Sequence, residues 1–315
     1  SHSEVSPRSS GGRSPSTPHL GFTIDYSHRG RGLKVAAVPE GAPGSYPETR
    51  IQPGEYILKI NGEPVEANQK LWQLINDKGD RTFEFLVNSG PFEEGARVVK
   101  YKPLSAGEWS ELHYQNRVNR LRRYVEERSG GKIGYVHIRG MGGSDLNRFE
   151  REYYEYARGK QAMIIDVRFN GGGNIADTLI DWLERTQYGY YRPRDWQPYP
   201  WPSGAMELPL VVLMNERSFS NAEMFPYSVR AKKLGTLVGW QTPGYVIATW
   251  GLDLVDGTGA RMPQLGVYRK DGSNMENNGE APDIAVWMSP DDWVNERDPQ
   301  LDKAIEVLMS QLEKR

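Results

Sequence analysis

Two junctions in this chain set residues capable of acyl-transfer chemistry where an apolar strand gives way to a helix. The first is Asn215-Glu-Arg-Ser-Phe-Ser-Asn-Ala-Glu-Met-Phe225, which places Ser218 and Ser220 between the run Leu208–Met214 and a helix-compatible stretch from Asn221 to Lys232. A serine at such a joint turns its hydroxyl away from the sheet and lies beside the unpaired N–H groups of a helix start, where negative charge is favoured. Attack on a carbonyl needs both a nucleophile and such donors. The plain alternative is that Ser218 or Ser220 only caps the helix. The second junction is Asn170-Gly-Gly-Gly173, whose glycines let backbone amides approach a ligand without a Cβ in the way. It lacks the Lys-Ser/Thr pair of a phosphate loop and the wider glycine spacing of a dinucleotide fold, and alone it also reads as a structural turn. If neighbouring strands carry the two junctions, each can bring an amide to one oxyanion.

The elements that must position these junctions alternate in type. A strand is predicted over Lys132–Ile138, a helix over Ser144–Arg158 and a buried strand over Ala162–Val167. Next comes a helix capped by Asn174, with Asp177 three positions on and Ile175, Leu179, Trp182 and Leu183 at helical spacing. The serine junction and a strand at Thr236–Gly239 follow, and Asp298-Pro299 opens a last helix with Leu301, Ala304, Ile305 and Leu308 on one face. This alternation predicts an α/β sheet with mixed strands over residues 131–315. Residues 105–130 read as an amphipathic connecting helix carrying Trp109, Leu112, Val118, Leu121 and Val125. Residues 19–104 read as a small domain of short strands, with a turn at Asn61-Gly62 and a helix near Gln69–Asp77. Residues 1–18, rich in Ser, Pro, Gly and Arg, read as a flexible linker that carries Ser1-His2.

Composition narrows the function class. A chain of 315 residues with 37% hydrophobic content can bury a full core, and its formal net charge of -2 argues against a nucleic-acid partner. The absence of cysteine removes disulfides, thiolate metal ligands and a cysteine nucleophile together. No apolar run of about 18 residues is present, so no membrane-spanning helix is expected. Without a His-Glu-x-x-His pair, no zinc site is expected either.

In the first domain His19-Leu-Gly-Phe22 and Ile51-Gln-Pro-Gly-Glu-Tyr-Ile-Leu-Lys-Ile-Asn-Gly-Glu-Pro-Val65 resemble the carboxylate-binding loop and the strand-turn-strand of PDZ domains. That resemblance implies a PDZ-like small β-barrel in which a peptide adds at a sheet edge, or a barrel of that fold acting as a spacer. Residues 19 to 310 resemble the serine peptidases of the carboxy-terminal-processing and tricorn clan. The Ser/Lys plan of that clan puts its nucleophile at Ser220, but Tyr245 occupies the lysine position and Lys232 and Lys233 lie on another segment. The tricorn plan is matched by three motifs: Asp166-Val-Arg-Phe-Asn-Gly-Gly-Gly173, Asn215-Glu-Arg-Ser-Phe-Ser-Asn221 and Asn274-Met-Glu-Asn-Asn-Gly-Glu-Ala-Pro-Asp283.

This resemblance implies an α+β/α/β chain, the PDZ-like domain followed by a mixed α/β catalytic sandwich, that hydrolyses peptides through an acyl-enzyme on Ser220. It implies His2 as general base, Ser1 and Glu276 as groups orienting it, and the N–H groups of Asn221 and Gly173 as the oxyanion hole, with Gly172 beside them. In the family an acidic residue favours basic side chains; Tyr191 stands at its position here, with Asp195 nearby, so an aromatic or apolar pocket is an equal reading. No cofactor or metal is implied. The resemblance further implies a cytoplasmic homo-hexamer in full-length form. The alternatives are a Ser/Lys-type processing protease and an inactive, peptide-binding or retinoid-binding-type relative.

Overall fold

The computed structural model describes residues 3–6, 15–205 and 207–314. These fold as two compact units that divide at Leu121, the N-terminal strand Glu4–Ser6 belonging with Leu121–Arg315.

In the larger unit the strands Ile133–His137, Ala162–Asp166 and Leu210–Met214 are buried at every residue. Unbroken apolar strands suit a parallel sheet covered on both faces. With Thr236–Gly239 and Ile284–Ala285 they form a five-stranded sheet in which every neighbouring pair is parallel. Its order runs Ile284–Ala285, Thr236–Gly239, Leu210–Met214, Ala162–Asp166, Ile133–His137. Val136, Met163, Ile165, Val212 and Met214 share one cluster with Phe149 and Tyr153 of the helix Gly143–Ala157, Leu179 of the helix Ala176–Leu183, and Phe225 and Val229 of the helix Asn221–Ala231. Residues of the opposite parity, Ile164, Val211 and Leu213, are equally buried, and the helix Pro299–Glu313 packs against their strands through Leu301, Ala304 and Leu308. Each such large apolar side chain contributes about 1.5–3 kcal/mol on burial.

Register brings the carboxyl ends of the strands level. His137 lies opposite Asp166, Leu213 opposite Asp166, and Met214 opposite Gly239. The turns that follow them therefore open on one edge, where open α/β sheets gather their sites. Arg168, fully buried, fastens the last helix to that edge. Its Nη2 donates to Asp166 Oδ2 at 2.7 Å and to Asp298 Oδ2 at 2.9 Å, and its Nη1 donates to Gln300 Oε1 at 3.0 Å. Asp298 is the N-cap of that helix and accepts from Leu301 N–H at 3.0 Å. Burial alone would raise the Asp166 carboxyl, but the charge of Arg168 and its hydrogen bonds hold it well below the usual carboxylate range.

Antiparallel pieces complete this unit. Gly189–Tyr191 pairs with Tyr199–Trp201, and Ala248–Asp253 pairs with Gly259–Leu265. Glu4–Ser6 adds to the second hairpin as an edge strand, Glu4 opposite Arg261 and Ser6 opposite Gly259. Composition assigns residues 4–6 to a linker, yet backbone pairing asks nothing of their side chains, all three of which are exposed.

The smaller unit is an antiparallel sheet in the order Thr23–Ile24, Leu33–Ala37, Tyr56–Ile60, Phe83–Asn88, Arg97–Tyr101, with Glu63–Pro64 pairing off Tyr56–Ile60. The turn Asn61-Gly62 joins that last pair with φ of +52° and +85°, as a two-residue hairpin turn demands. Leu33, Val35, Ile57, Phe83 and Phe85 fill its core beside Leu71 and Ile75 of the helix Gln69–Ile75.

Candidate active site

Short polar side chains build the turn between the Leu210–Met214 strand and the Asn221–Ala231 helix. Ser218 is fully buried; its Oγ donates to Val167 O at 2.9 Å and accepts from Asn215 N–H at 3.1 Å. It thereby ties this turn to the end of the neighbouring strand. Ser220 differs in kind. Its φ of +55° is a left-handed conformation that costs a residue with a side chain about 1–3 kcal/mol. It is half-buried, and its hydroxyl makes no capping hydrogen bond.

The glycine turn lies directly against it. Asn170 Oδ1 accepts from Gly172 N–H at 2.9 Å, Asn170 Nδ2 donates to Ile138 O at 2.9 Å, and Asn170 O accepts from Phe219 N–H at 2.9 Å. Gly172 has φ +91°, and a Cβ there would stand 2.7 Å from Ser220 Cβ and 2.8 Å from Phe219 O. At Gly173, φ +149°, it would stand 2.1 Å from Met141 O. Only glycine permits this contact between the two junctions. The N–H groups of Gly173 and Asn221 make no hydrogen bond to another described residue.

The Asn221 side chain links the junctions further, because its Oδ1 accepts from Ala176 N–H at 2.8 Å. This corrects the sequence expectation that Asn174 caps the Ala176–Leu183 helix. The N-cap position is Ile175, which supplies no side-chain cap, and Asn174 instead donates its N–H to Met141 O at 2.8 Å. The helix is capped across space by the residue after Ser220.

Glu276 is 4% exposed and not a solvated turn carboxylate. Its Oε2 accepts from the Val246 and Ile247 amides at 2.9 and 3.0 Å, while its own N–H donates to Asn274 Oδ1 at 3.0 Å. Sequence reasoning assigned no role to Glu223, which stands in the first turn of the Asn221–Ala231 helix and accepts from the same loop. Fully buried, it accepts from Gly244 N–H at 2.6 Å, Tyr245 N–H at 2.7 Å, Thr242 Oγ1 at 2.6 Å and Ser220 N–H at 3.2 Å. Burial pushes its carboxyl up from the ordinary value, and the hydrogen bonds only partly offset that. The Ser-x-x-Glu spacing of Ser220 and Glu223, a capping-box signature, was the signal that could have found it.

The remaining sequence candidates lie elsewhere. Tyr191 stacks on Tyr199 with centroids 5.1 Å apart and lies tilted against Trp201 at 5.4 Å, in its own hairpin. Lys232 pairs with Glu184 at 3.0 Å, at the end of the Asn221–Ala231 helix opposite Ser220. His19 and His113 pack on Trp109, His28 packs on Tyr56, and the Nε2 of buried His137 lies 3.1 Å from Arg168 O. Ser1 and His2 lie outside the described residues. Among the described residues no helix is long and apolar enough to cross a membrane, and no group of three or more His, Cys, Asp or Glu could hold a metal ion. The arrangement can do one kind of chemistry well: a strained, uncapped hydroxyl stands beside amides at a helix start, where a developing oxyanion is stabilised.

Residues 132–286 match the model of peptidase family S41. The chain is 33% identical over 263 residues to the tricorn protease of Thermoplasma volcanium, covering 83% of this chain and 25% of that protein. It is 31% identical over 327 residues to tricorn protease homolog 1 of Streptomyces coelicolor, covering 99% of this chain and 30% of that one. A crystal structure of the tricorn protease matches 95% of this chain and 29% of its own length, with a TM-score of 0.82 and 29% identity. The chain thus spans about a quarter of the length of the tricorn proteases it matches.

Proposed function

We infer from the match of residues 132–286 to peptidase family S41 that this chain is a serine peptidase of the tricorn type, hydrolysing peptides through an acyl-enzyme on Ser220. The observation that carries the reading is the pairing of the two junctions. Ser220, with φ +55° and an uncapped hydroxyl, abuts Gly172 so closely that a single methyl there would collide with it. In this reading the N–H groups of Asn221 and Gly173 hold the oxyanion, a contribution of the kind worth about 2.7–4 kcal/mol per donor in other serine peptidases.

His2 is proposed as the general base, taking the Ser220 proton and returning it to the leaving amine, with Ser1 and Glu276 orienting its imidazole. Support comes from the strand that follows it. Glu4 pairs with Arg261, and the Ala248–Asp253 strand of the same ribbon begins one residue after Ile247, whose N–H donates to Glu276. The Ser/Lys alternative is disfavoured by Tyr245, which stacks on Phe219 at 5.7 Å where that plan needs a lysine. The smaller unit is proposed to be a PDZ-like domain: its antiparallel sheet and its His19-Leu-Gly-Phe22 loop support that reading. A cytoplasmic homo-hexamer in full-length form, without nucleic-acid partner, and an aromatic or apolar specificity pocket that includes Tyr191 complete the proposal.

Labelling the native protein with a fluorophosphonate tests it. The adduct is expected on Ser220 and is expected to vanish in Ser220→Ala, with His2→Ala slowing acylation at least 100-fold and Tyr245→Phe leaving it within twofold. A folded protein that forms no adduct at Ser220 would sink the enzyme reading.

A further inference from the structure

Four consecutive backbone N–H groups, from Gly244 to Ile247, all end on buried carboxylates. The first two donate to Glu223 and the next two to Glu276. Glu223 also holds the Ser220 N–H on the same oxygen that receives Tyr245 N–H. The nucleophile turn and the loop leading to Glu276 therefore share one acceptor atom.

The loop has little freedom to move away from it. Thr242 Oγ1 donates to Glu223 and accepts from Glu280 N–H at 2.8 Å. A Cβ at Gly244 would stand 2.6 Å from Asn278 N, and one at Gly279 would stand 1.9 Å from Thr242 O. The segment is thus wedged between the Glu223 carboxylate and the Asn274–Glu280 turn that carries Glu276. Among the described residues every donor to Glu223 is a neutral amide or hydroxyl, so its charge is met there by dipoles aimed at it.

We propose that Glu223 is a positioning residue: through the Gly244–Ile247 backbone it sets the position of Glu276 relative to Ser220. It touches neither substrate nor the reacting atoms. Its second contact, with the Ser220 N–H, steadies the left-handed turn on which the nucleophile stands. The inference rests on the peptidase reading above. Protonating Glu223 turns one acceptor oxygen into a donor facing N–H donors and frees part of the loop. The raised carboxyl supports this, since it brings that event toward the acid limb of the activity.

Glu223→Gln, equal in size but unable to accept from all four donors, is compared with wild type in the native protein by three readouts: fluorophosphonate labelling rate, the split between kcat and KM on a peptide substrate, and the pH profile. The expected result is labelling and kcat lowered at least tenfold, with KM within threefold. The acid limb of log kcat/KM should steepen beyond unit slope at its lowest pH in wild type and keep unit slope in the variant. Thr242→Val, which removes one donor and no charge, is expected to lower labelling three- to tenfold, and it decides the matter if Glu223→Gln does not fold. Wild-type labelling with variants that label within twofold and keep the wild-type pH profile would overturn the inference and leave the peptidase reading standing. A wild type that does not label overturns that reading, and this inference with it.

Discussion

Two sets of carboxylates sit at the same edge of the parallel sheet and are held by opposite means. Asp166 and Asp298 grip Arg168, a full positive charge, and Asp166 is held far below its ordinary range. Glu223 is met by three N–H groups and one hydroxyl, and burial pushes it upward. A buried ion pair loses heavily when one partner is removed, because the other charge is left unsolvated. A carboxylate held by dipoles keeps its geometry only while it accepts from all of them, so it is cheaper to perturb and more sensitive to pH. The first arrangement fixes a helix to a sheet; the second fixes a loop beside a reactive hydroxyl. Scaffold and site are thus stabilised separately within a few residues of each other.

The sharpest break in that comparison is Arg168→Met. It strands two carboxylates and should cost about 3–5 kcal/mol, read as a lower denaturant midpoint. A loss under about 1 kcal/mol would mean that the triad of Arg168, Asp166 and Asp298 is no scaffold at all.

Next in size is the pH dependence of stability, whose sign differs between the two sets. The folded value for Asp166 lies below its unfolded one, so its contribution is present above the ordinary carboxylate range and is lost as pH falls through the folded value. The folded value for Glu223 lies above its ordinary 4.5, so its contribution is present below that value and is lost as pH rises through the folded one. Denaturant titrations across pH should therefore show wild type losing stability relative to Glu223→Gln as pH rises from about 4. Relative to Asp166→Asn, wild type should hold its advantage across the same range. Matching slopes would erase the distinction.

The smallest effect belongs to a pair outside both sets. Lys232 and Glu184 meet at the surface with side chains 53% and 35% exposed, and Lys232→Ala should cost less than ~1 kcal/mol and leave acylation of Ser220 unchanged. A large loss of labelling would revive a lysine base.

Much of this architecture was legible beforehand, for identifiable reasons. Continuous apolar strands and helices with a single apolar face announce themselves by period, so Ala162–Asp166 and Asn221–Ala231 fall within a residue of expectation. Asp298-Pro299 marked a helix start correctly because capping is local. What escaped was decided across space. Asn174 has the right type and spacing for a cap, but Asn221 does that work from another strand's turn. The ribbon Ala248–Asp253 with Gly259–Leu265 was missed although Asp256-Gly257 is a hairpin signal, since its exposed Trp250, Leu252 and Met262 do not read as half-buried strands. Of the site, the serine and glycine junctions were visible as motifs. The burial of Glu276 and the reach of Glu223 were not, because both depend on where one loop lies.

The edge strand Glu4–Ser6 bears on the order in which the molecule matures. Its partner, Gly259–Leu265, is made late in translation, and this pairing closes one of the longest loops in the chain. Non-local pairings of this kind form late, after local structure has paid the loop-closure entropy. On the ribosome residues 4–6 must therefore wait, unpaired, until Gly259–Leu265 has emerged. With His2 as the proposed proton acceptor, hydrolysis is expected to begin only after synthesis has passed that ribbon.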